Sequence, residues 1–203
     1  MRIALIVEGK TETAFLPHLR KFLETRLTGR MPKLDPVPRR GRLPTHDKLK
    51  RVVERLLDDG KRSADAVIAL TDVYTGTKDF TDAADAKQGM RSWVGPNERF
   101  HPHAAQHDFE AWLIPYWSTI QKVAGSESAC PGASPEAVNR DNPPAHRLQT
   151  VFRTGRKGKA YVKPRDANRI LHGQDLLVAA NACPELKAFL NTILALCGGG
   201  PIP

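Results

Sequence analysis

Two short apolar runs that each end in an acid constrain the fold of this chain more than any other feature. The first, residues 3–7, reads Ile-Ala-Leu-Ile-Val and is followed by Glu8; the second, residues 66–71, is followed by Asp72. A continuous apolar run of this length predicts a strand that is buried on both faces, which is typical of parallel sheets. Amphipathic segments alternate with the runs, so the sequence predicts an α/β fold with a mostly parallel sheet flanked by helices.

The acids at the strand ends predict where a functional site would lie. In open parallel sheets, ligands bind beyond the carboxyl ends of the strands, and Glu8 and Asp72 both occupy that position. Gly9 and a second acid, Glu12, follow, and we expect Glu12 in the first turn of the next helix, near Glu8. Stabilisation of a helix start by the dipole would explain Glu12 alone. An acid at the end of an apolar strand instead favours a site for Mg²⁺ or Mn²⁺, which prefer carboxylate oxygens.

The remaining segments predict a single domain with a C-terminal extension. Residues 1–124 are predicted to form the metal-binding core, and residues 125–203 a basic loop and C-terminal helices packed on the same domain. Residues 125–144 are rich in Ser, Pro, Gly and Asn, which predicts irregular structure, and residues 198–203 are expected to fray. The other predicted elements are an edge strand near 33–37, helices over 47–57 and 82–91, a strand over 99–105, a helix from Asp108 ended by Pro115, and helical structure after Asp175.

Composition excludes several classes of protein. The chain has 40% hydrophobic and 26% charged residues, which is the ordinary globular range. The apolar stretch before Glu8 is too short for the core of a signal peptide, and no run approaches the ~18 apolar residues that span a bilayer. We therefore expect a cytoplasmic protein without a membrane partner. The three cysteines are widely spaced and form no CxxC pair, so they indicate neither a disulfide framework nor a zinc site.

A surplus of positive charge makes nucleic acid the first partner to consider. The formal net charge is +9 and the pI is near 9.7. Such a surplus attracts polyanions, although many basic enzymes bind no nucleic acid. The candidate backbone-binding residues fall in two basic stretches: Arg39, Arg40 and Arg42 in the first, and Arg153, Arg156, Lys157 and Lys159 in the second.

Several segments together carry a resemblance to a known family. The string Val-Glu-Gly-Lys-Thr-Glu at residues 7–12, followed by an apolar strand ending in Asp72, resembles the TOPRIM domain of topoisomerases, primases and OLD-family nucleases. More narrowly, the chain is similar to the TOPRIM-related family called domain of unknown function 4276. The segments that match its pattern are residues 7–16, 70–74, 106–113, 161–163 and 183–190.

The resemblance implies metal-dependent phosphodiester chemistry. It identifies Glu8 as a metal ligand or general acid/base, Glu12 as a second metal ligand, and Asp72 as the first aspartate of an Asp-x-Asp motif. The second aspartate of that motif is replaced by Tyr74, and a phenol is a poor magnesium ligand. That metal position is therefore expected to be weakened, lost, or supplied by Asp79 or Glu110.

Three further residues are candidates for the same site. Glu110 opens a predicted helix directly after a predicted strand, so with Asp108 we expect it to add acid, and itself a metal ligand, at the same sheet edge; a capping role for Asp108 and a surface role for Glu110 are the alternatives. His107 lies beside it and could order a water or a phosphate. Lys163 matches the lysine that neutralises the pentavalent phosphate in OLD-type nucleases, although a solvated lysine in a basic loop is an alternative explanation.

Two functions stay open. The first is a metal-dependent nuclease acting on DNA or RNA; the family resemblance further implies bacterial anti-phage defence beside an ATPase partner. The second is a non-catalytic TOPRIM-like module that binds or senses nucleic acid, which the replacement at Tyr74 favours. Retention of the other acids favours the enzyme, and the sequence leaves the oligomeric state open.

Overall fold

Four parallel strands form a single sheet in the computed structural model, which describes residues 1–39, 41–74, 80–132, 134–137, 142–156 and 158–203. The strands are β1 (Arg2–Val7), β2 (Lys33–Pro38), β3 (Ala66–Asp72) and β4 (Phe100–Ala105), in the spatial order β2-β1-β3-β4. Val7 pairs with Leu70, and Asp72 pairs with Ala105. The predicted parallel α/β sheet is therefore confirmed, and the carboxyl ends of β1 and β3 lie side by side.

Prolines mark both outer strands of the sheet. Pro36 and Pro38 lie in β2, and Pro102 lies in β4. Proline cannot donate a backbone hydrogen bond and is found in sheets almost only on edge strands. The central pair, β1 and β3, contains no proline and holds the two apolar runs.

Helices cover both faces of the sheet. The described residues contain α1 (Lys10–Glu24), α2 (His46–Asp58), α3 (Ala83–Val94), α4 (Trp117–Ala124), α5 (Pro144–Thr154), α6 (Lys163–Leu171), α7 (Leu176–Ala182) and α8 (Pro184–Leu196). Short 3₁₀ helices span Gly60–Arg62, Phe109–Tyr116 and Pro135–Ala137. None of these helices is long and apolar enough to cross a bilayer.

Successive side chains of the central strands point to opposite faces of the sheet, and apolar clusters cover both faces, which explains why the two runs are apolar. Ile3 and Leu5 face a large apolar cluster with α1 and the C-terminal helices, whereas Ala4 and Ile6 face a second cluster with α2 and α3. The larger cluster joins residues from both predicted segments, 1–124 and 125–203. The boundary near residue 124 stays a prediction.

Two local expectations from sequence are wrong, and two helices were missed. Pro115 does not end a helix; it lies inside the 3₁₀ helix that leads directly into α4. The helices α5 and α6 were not predicted. The tail is also packed, since Ile202 is buried in the larger cluster and its backbone N–H donates to Asn191 Oδ1 at 2.8 Å.

Candidate functional site

Glu8 connects the ends of the two central strands. It follows β1, and its Oε1 accepts a hydrogen bond from Thr71 Oγ1 and another, at 3.2 Å, from the backbone N–H of Asp72. The side chain is buried. Burial raises the pKa of Glu8 to about 7; the two hydrogen bonds oppose the rise and the charge of Glu12 adds to it.

Glu12 lies in the first turn of α1, as predicted. Its Oε2 accepts from the backbone N–H of Gly9 at 3.0 Å, closing the helix start over the end of β1. A Cβ on Gly9 would lie 3.3 Å from that oxygen, so glycine permits the close approach. The carboxyl is buried, and burial, together with the charge of Glu110, raises its pKa, while the backbone hydrogen bonds and Lys163 act in the opposite direction.

Asp72, the last residue of β3, shares its surroundings with four other acids. Burial of its carboxyl raises its pKa well above the usual value, and the charges of Glu8, Glu12, Asp108 and Glu110 raise it further. These five carboxyls define what we call the acidic edge. Glu8, Glu12, Asp72 and Glu110 were predicted from sequence as metal ligands, and Asp108 was expected only to add an acid to the same sheet edge.

Asp108 and Glu110 come from the start of the 3₁₀ helix that follows β4. Asp108 Oδ2 accepts from the backbone N–H of Ala145 at 3.1 Å, and burial and the charge of Glu110 raise the Asp108 pKa to about 7. Glu110 is fully buried and accepts from Tyr161 Oη at 3.3 Å and from Lys163 Nζ at 3.1 Å. Both acids are therefore fixed by residues of the C-terminal half.

Lys163 brings a positive charge to the acidic edge. It is the first residue of α6 and forms a salt bridge with Glu110, while its side chain stays 43% exposed. Desolvation lowers its pKa, but Glu110 and Asp72 outweigh that effect and the pKa is raised. Lys163 is therefore a fixed, charged ammonium that solvent can still reach, which is unlike a solvated loop lysine.

Tyr74 and His107 stack beside the acidic edge. Their ring centroids lie 5.6 Å apart at an interplanar angle of 25°, and the Tyr74 backbone N–H donates to the His107 carbonyl oxygen at 2.6 Å. His107 has a φ of 70°, in the left-handed region that residues other than glycine adopt uncommonly. The residue that replaces an acid at position 74 thus packs against the candidate histidine.

The acidic edge fits a hard divalent cation by its donor chemistry, because clustered carboxylates repel one another and a cation relieves that repulsion. The side chains are not gathered around one point, however: among the described residues no group of three or more Asp, Glu, His or Cys is placed to hold one ion. Glu8, Glu12 and Glu110 instead accept hydrogen bonds from the protein. Asp79, the alternative ligand, lies outside the described residues.

The predicted nucleic-acid contacts fall in two stretches of the chain, and the first stretch lies beside the acidic edge. Arg39 donates its backbone N–H to the Val7 carbonyl oxygen at 2.7 Å, and exposed Arg42 lines a cavity together with Glu8. In the second stretch the described residues are exposed: Arg153, Lys159 and Arg156, of which Arg156 pairs with Glu127. Arg40 and Lys157 lie outside the described residues.

Arg169, and the pairing of two α6 arginines with a buried acid, were missed from the sequence. Asp166 is fully buried and accepts from Arg165 Nε and Nη2, both at 2.8 Å, and from Arg169 Nη1 at 3.4 Å. With Lys159, the two arginines line a cavity of about 320 Å³. The spacing Arg-Asp-x-x-Arg in a helix was the available signal, but α6 itself had not been predicted.

Sheet order, flanking helices and acids at the strand ends together define a TOPRIM-like α/β fold. The C-terminal region of the Burkholderia pseudomallei OLD protein has the same fold, with a TM-score of 0.54 and 15% sequence identity over 97% of this chain and 98% of that one. The C-terminal region of the Xanthomonas campestris pv. campestris OLD protein gives a TM-score of 0.48 and 13% identity over 97% and 96%. A search of curated proteins found no match. Residues 7–194 match the family "Domain of unknown function (DUF4276)", and the chain belongs to that family.

Proposed function

We propose that this protein is a metal-dependent nuclease that hydrolyses phosphodiester bonds of DNA or RNA. The observation that carries the proposal is the acidic edge itself, five carboxyls with a lysine salt-bridged among them at the carboxyl ends of parallel strands. Burial and the charges of neighbouring acids raise the pKa values of Glu8, Glu12, Asp72 and Asp108, and acids perturbed in this way are candidates for a functional site. The predicted ligands of Mg²⁺ or Mn²⁺ are Glu8, Glu12, Asp72 and Glu110.

A bound divalent cation would polarise the phosphate and promote deprotonation of the attacking water. The chain's own groups have separate tasks in this proposal. Glu8 would hold the cation or accept the proton of the water. Lys163 would meet the negative charge that builds on the non-bridging oxygens, because its ammonium is already fixed at the site. His107 would orient a water or a phosphate oxygen.

The distribution of positive charge supports nucleic acid as the substrate. Arg39 and Arg42 follow β2 on the side of Glu8, and Arg165 and Arg169 extend along α6 from Lys163. Cations beside an acidic centre can hold a phosphate backbone without reading its sequence. From the resemblance to the OLD family alone, we further propose that the protein acts beside an ATPase subunit in anti-phage defence.

The second candidate function is a non-catalytic module that binds or senses nucleic acid. Two observations favour it: Tyr74 stands in place of an acid and stacks on His107, and the acids of the described residues are not gathered as a ready metal site. In this proposal the basic residues retain their role and the acidic edge does not perform hydrolysis.

The role of Lys163 separates the two candidates. The assay supplies Mn²⁺ or Mg²⁺, both DNA and RNA, and any neighbouring ATPase. For an enzyme, Lys163→Ala reduces cleavage by about 100-fold or more but weakens affinity only a few-fold, since the ammonium acts mainly on the transition state. Lys159→Ala is the matched control and shows the reverse, weaker binding with a shallower salt dependence.

Two results would decide against these assignments. Wild-type protein that binds nucleic acid in the presence of metal and never cuts it favours the module. Cleavage by Lys163→Ala at the wild-type rate would refute the role of the lysine in the mechanism but not the nuclease activity itself.

A further inference from the structure

Beside the acidic edge lies a cavity whose rings have no role in the function proposed above, although the predicted backbone contact Arg42 lines it. Its volume is about 620 Å³, within the range of small-molecule sites. It lies between the segment before α2, the first turn of α2, the segment before α3 and the last turn of α3. Its lining residues are Arg42, Leu43, Pro44, Thr45, His46, Lys48, Phe80 and Trp93.

Three rings give this cavity a stacking surface. His46 and Trp93 have ring centroids 4.7 Å apart at 47°, and Phe80 and Trp93 have centroids 5.9 Å apart at 38°. Phe80 and Trp93 are half-buried and His46 is exposed, so the rings are held in place and still border open space. His46 has a φ of 49°, in the left-handed region, at the start of α2. Flat π-faces of this kind bind nucleobases by stacking, with little dependence on sequence.

Two cations and an acid would determine how a nucleotide is oriented in the cavity. Arg42 and Lys48 are exposed on its lining, where they can meet phosphates on either side of a stacked base. A narrower cavity shares Arg42, Leu43, Thr45, Phe80 and Trp93 with it and continues inward to Glu8 and Thr71. A base seated on the rings would therefore have its sugar-phosphate chain next to the acidic edge.

We propose that this cavity binds an unpaired nucleobase of a single-stranded DNA or RNA segment. The proposal rests on the nuclease or nucleic-acid-binding function proposed above and narrows it to single-stranded substrate. In a duplex each base is stacked between its neighbours, and reaching such a cavity would require extruding the nucleotide. Free single strands meet no such cost.

Tryptophan fluorescence provides a direct test. The chain has three tryptophans, and Trp112 and Trp117 are only 1% and 7% exposed, so a ligand that quenches emission by contact reports on Trp93. Wild-type protein in a chelating buffer is titrated with a short single strand, an abasic strand of equal length and charge, and a duplex. We expect quenching by the base-bearing single strand alone, and about tenfold or more weaker binding of the abasic strand, as the loss of stacking predicts.

Variants add a second measurement that does not depend on the tryptophan signal. His46→Ala and Lys48→Ala should each weaken binding of the base-bearing strand several-fold. Lys50→Ala, an exposed lysine of the same helix that does not line the cavity, is the charge-matched control and should have a smaller effect. Trp93→Phe keeps an aromatic face and should lose the signal while retaining most of the affinity.

Three results would overturn the proposal: equal binding and quenching by the abasic strand, equal quenching by the duplex, or no quenching by any nucleic acid. The chelator makes the outcome independent of cleavage. Quenching without cleavage in Mn²⁺ would refute the nuclease proposal and support the base-binding cavity. Cleavage without quenching would refute the base-binding cavity and support the nuclease proposal.

Discussion

Replacing Glu8 with Gln should stabilise the metal-free protein at alkaline pH. The folded protein raises the pKa of Glu8 from 4.5 to about 7, which at ~1.4 kcal/mol per unit corresponds to about 3 kcal/mol. Because the folded state holds the proton of Glu8 more tightly than the unfolded state does, protonated Glu8 contributes this free energy to the stability of the fold. The contribution is fully present below about pH 4.5 and is lost as the pH rises through about 7. Gln keeps an oxygen that can accept from Thr71 and carries no charge, so the variant avoids the loss.

The measurement is thermal unfolding in a chelating buffer at pH 4.5 and pH 8. For a chain of this size about 3 kcal/mol corresponds to a Tm difference of roughly 6–12 °C, which should appear at pH 8 and vanish at pH 4.5. Glu8→Gln should keep part of the wild-type pH dependence, because burial and Glu110 also raise the pKa of Asp108 to about 7. Glu24→Gln, at an exposed position at the end of α1, is the control and should change neither Tm.

Magnesium should reverse the order of the two proteins. A cation at 1,000 times its Kd stabilises the folded state by about 4.1 kcal/mol, which exceeds the advantage of about 3 kcal/mol that Glu8→Gln has in chelator, and Glu8→Gln should lose most of that gain. If Glu8→Gln were no more stable than wild type at pH 8 in chelator, the electrostatic account of the acidic edge would be refuted. A wild-type Tm that does not change when millimolar metal is added would separately refute the metal site.

Two stability predictions concern packing outside the acidic edge, and both are measured by urea or thermal unfolding. Gly155→Ala should destabilise by about 1–3 kcal/mol, because a Cβ there would lie well inside contact distance of the Ala124 carbonyl oxygen; Gly29→Ala meets nothing within 4 Å and should be nearly neutral. Ile202→Ala should cost about 2 kcal/mol, since the side chain is buried and its backbone is held by Asn191; an unchanged Tm would mean that the tail is not packed.

The sequence predicted the central sheet well because its signal is local. Residues 3–7 and 66–70 are apolar at every position, which is typical of a strand covered on both faces. The same logic predicted that Glu8 and Asp72 share one edge, since parallel strands end together. Proline placement in β2 and β4 is equally local and agrees with their edge positions.

The C-terminal half was predicted less well because its structure depends on distant contacts. Asp108 is held by the backbone of Ala145, 37 residues away, and Glu110 by Lys163, 53 residues away. No pattern within one window of sequence indicates such pairs. Asp166, buried beneath Arg165 and Arg169, reads in sequence as an ordinary surface acid, yet it organises the basic side of α6.

Position 74 offers a direct test of whether the acidic edge lacks a metal ligand. Tyr74→Asp restores an acid two residues after Asp72, and Tyr74→Ala is the matched control, because it removes the same stacking on His107 without adding a charge. Compared with Tyr74→Ala, we expect Tyr74→Asp to have a lower Tm in chelator, since one more carboxylate joins acids that already repel one another. Its Tm should rise further with Mg²⁺, and a tenfold tighter site would add about 1.4 kcal/mol, or roughly 3–6 °C. An equal response of the two variants would show that no ligand is missing at this position. The replacement by tyrosine would then no longer favour the non-catalytic module, and the five carboxyls of the acidic edge would be the complete set on which the nuclease proposal depends.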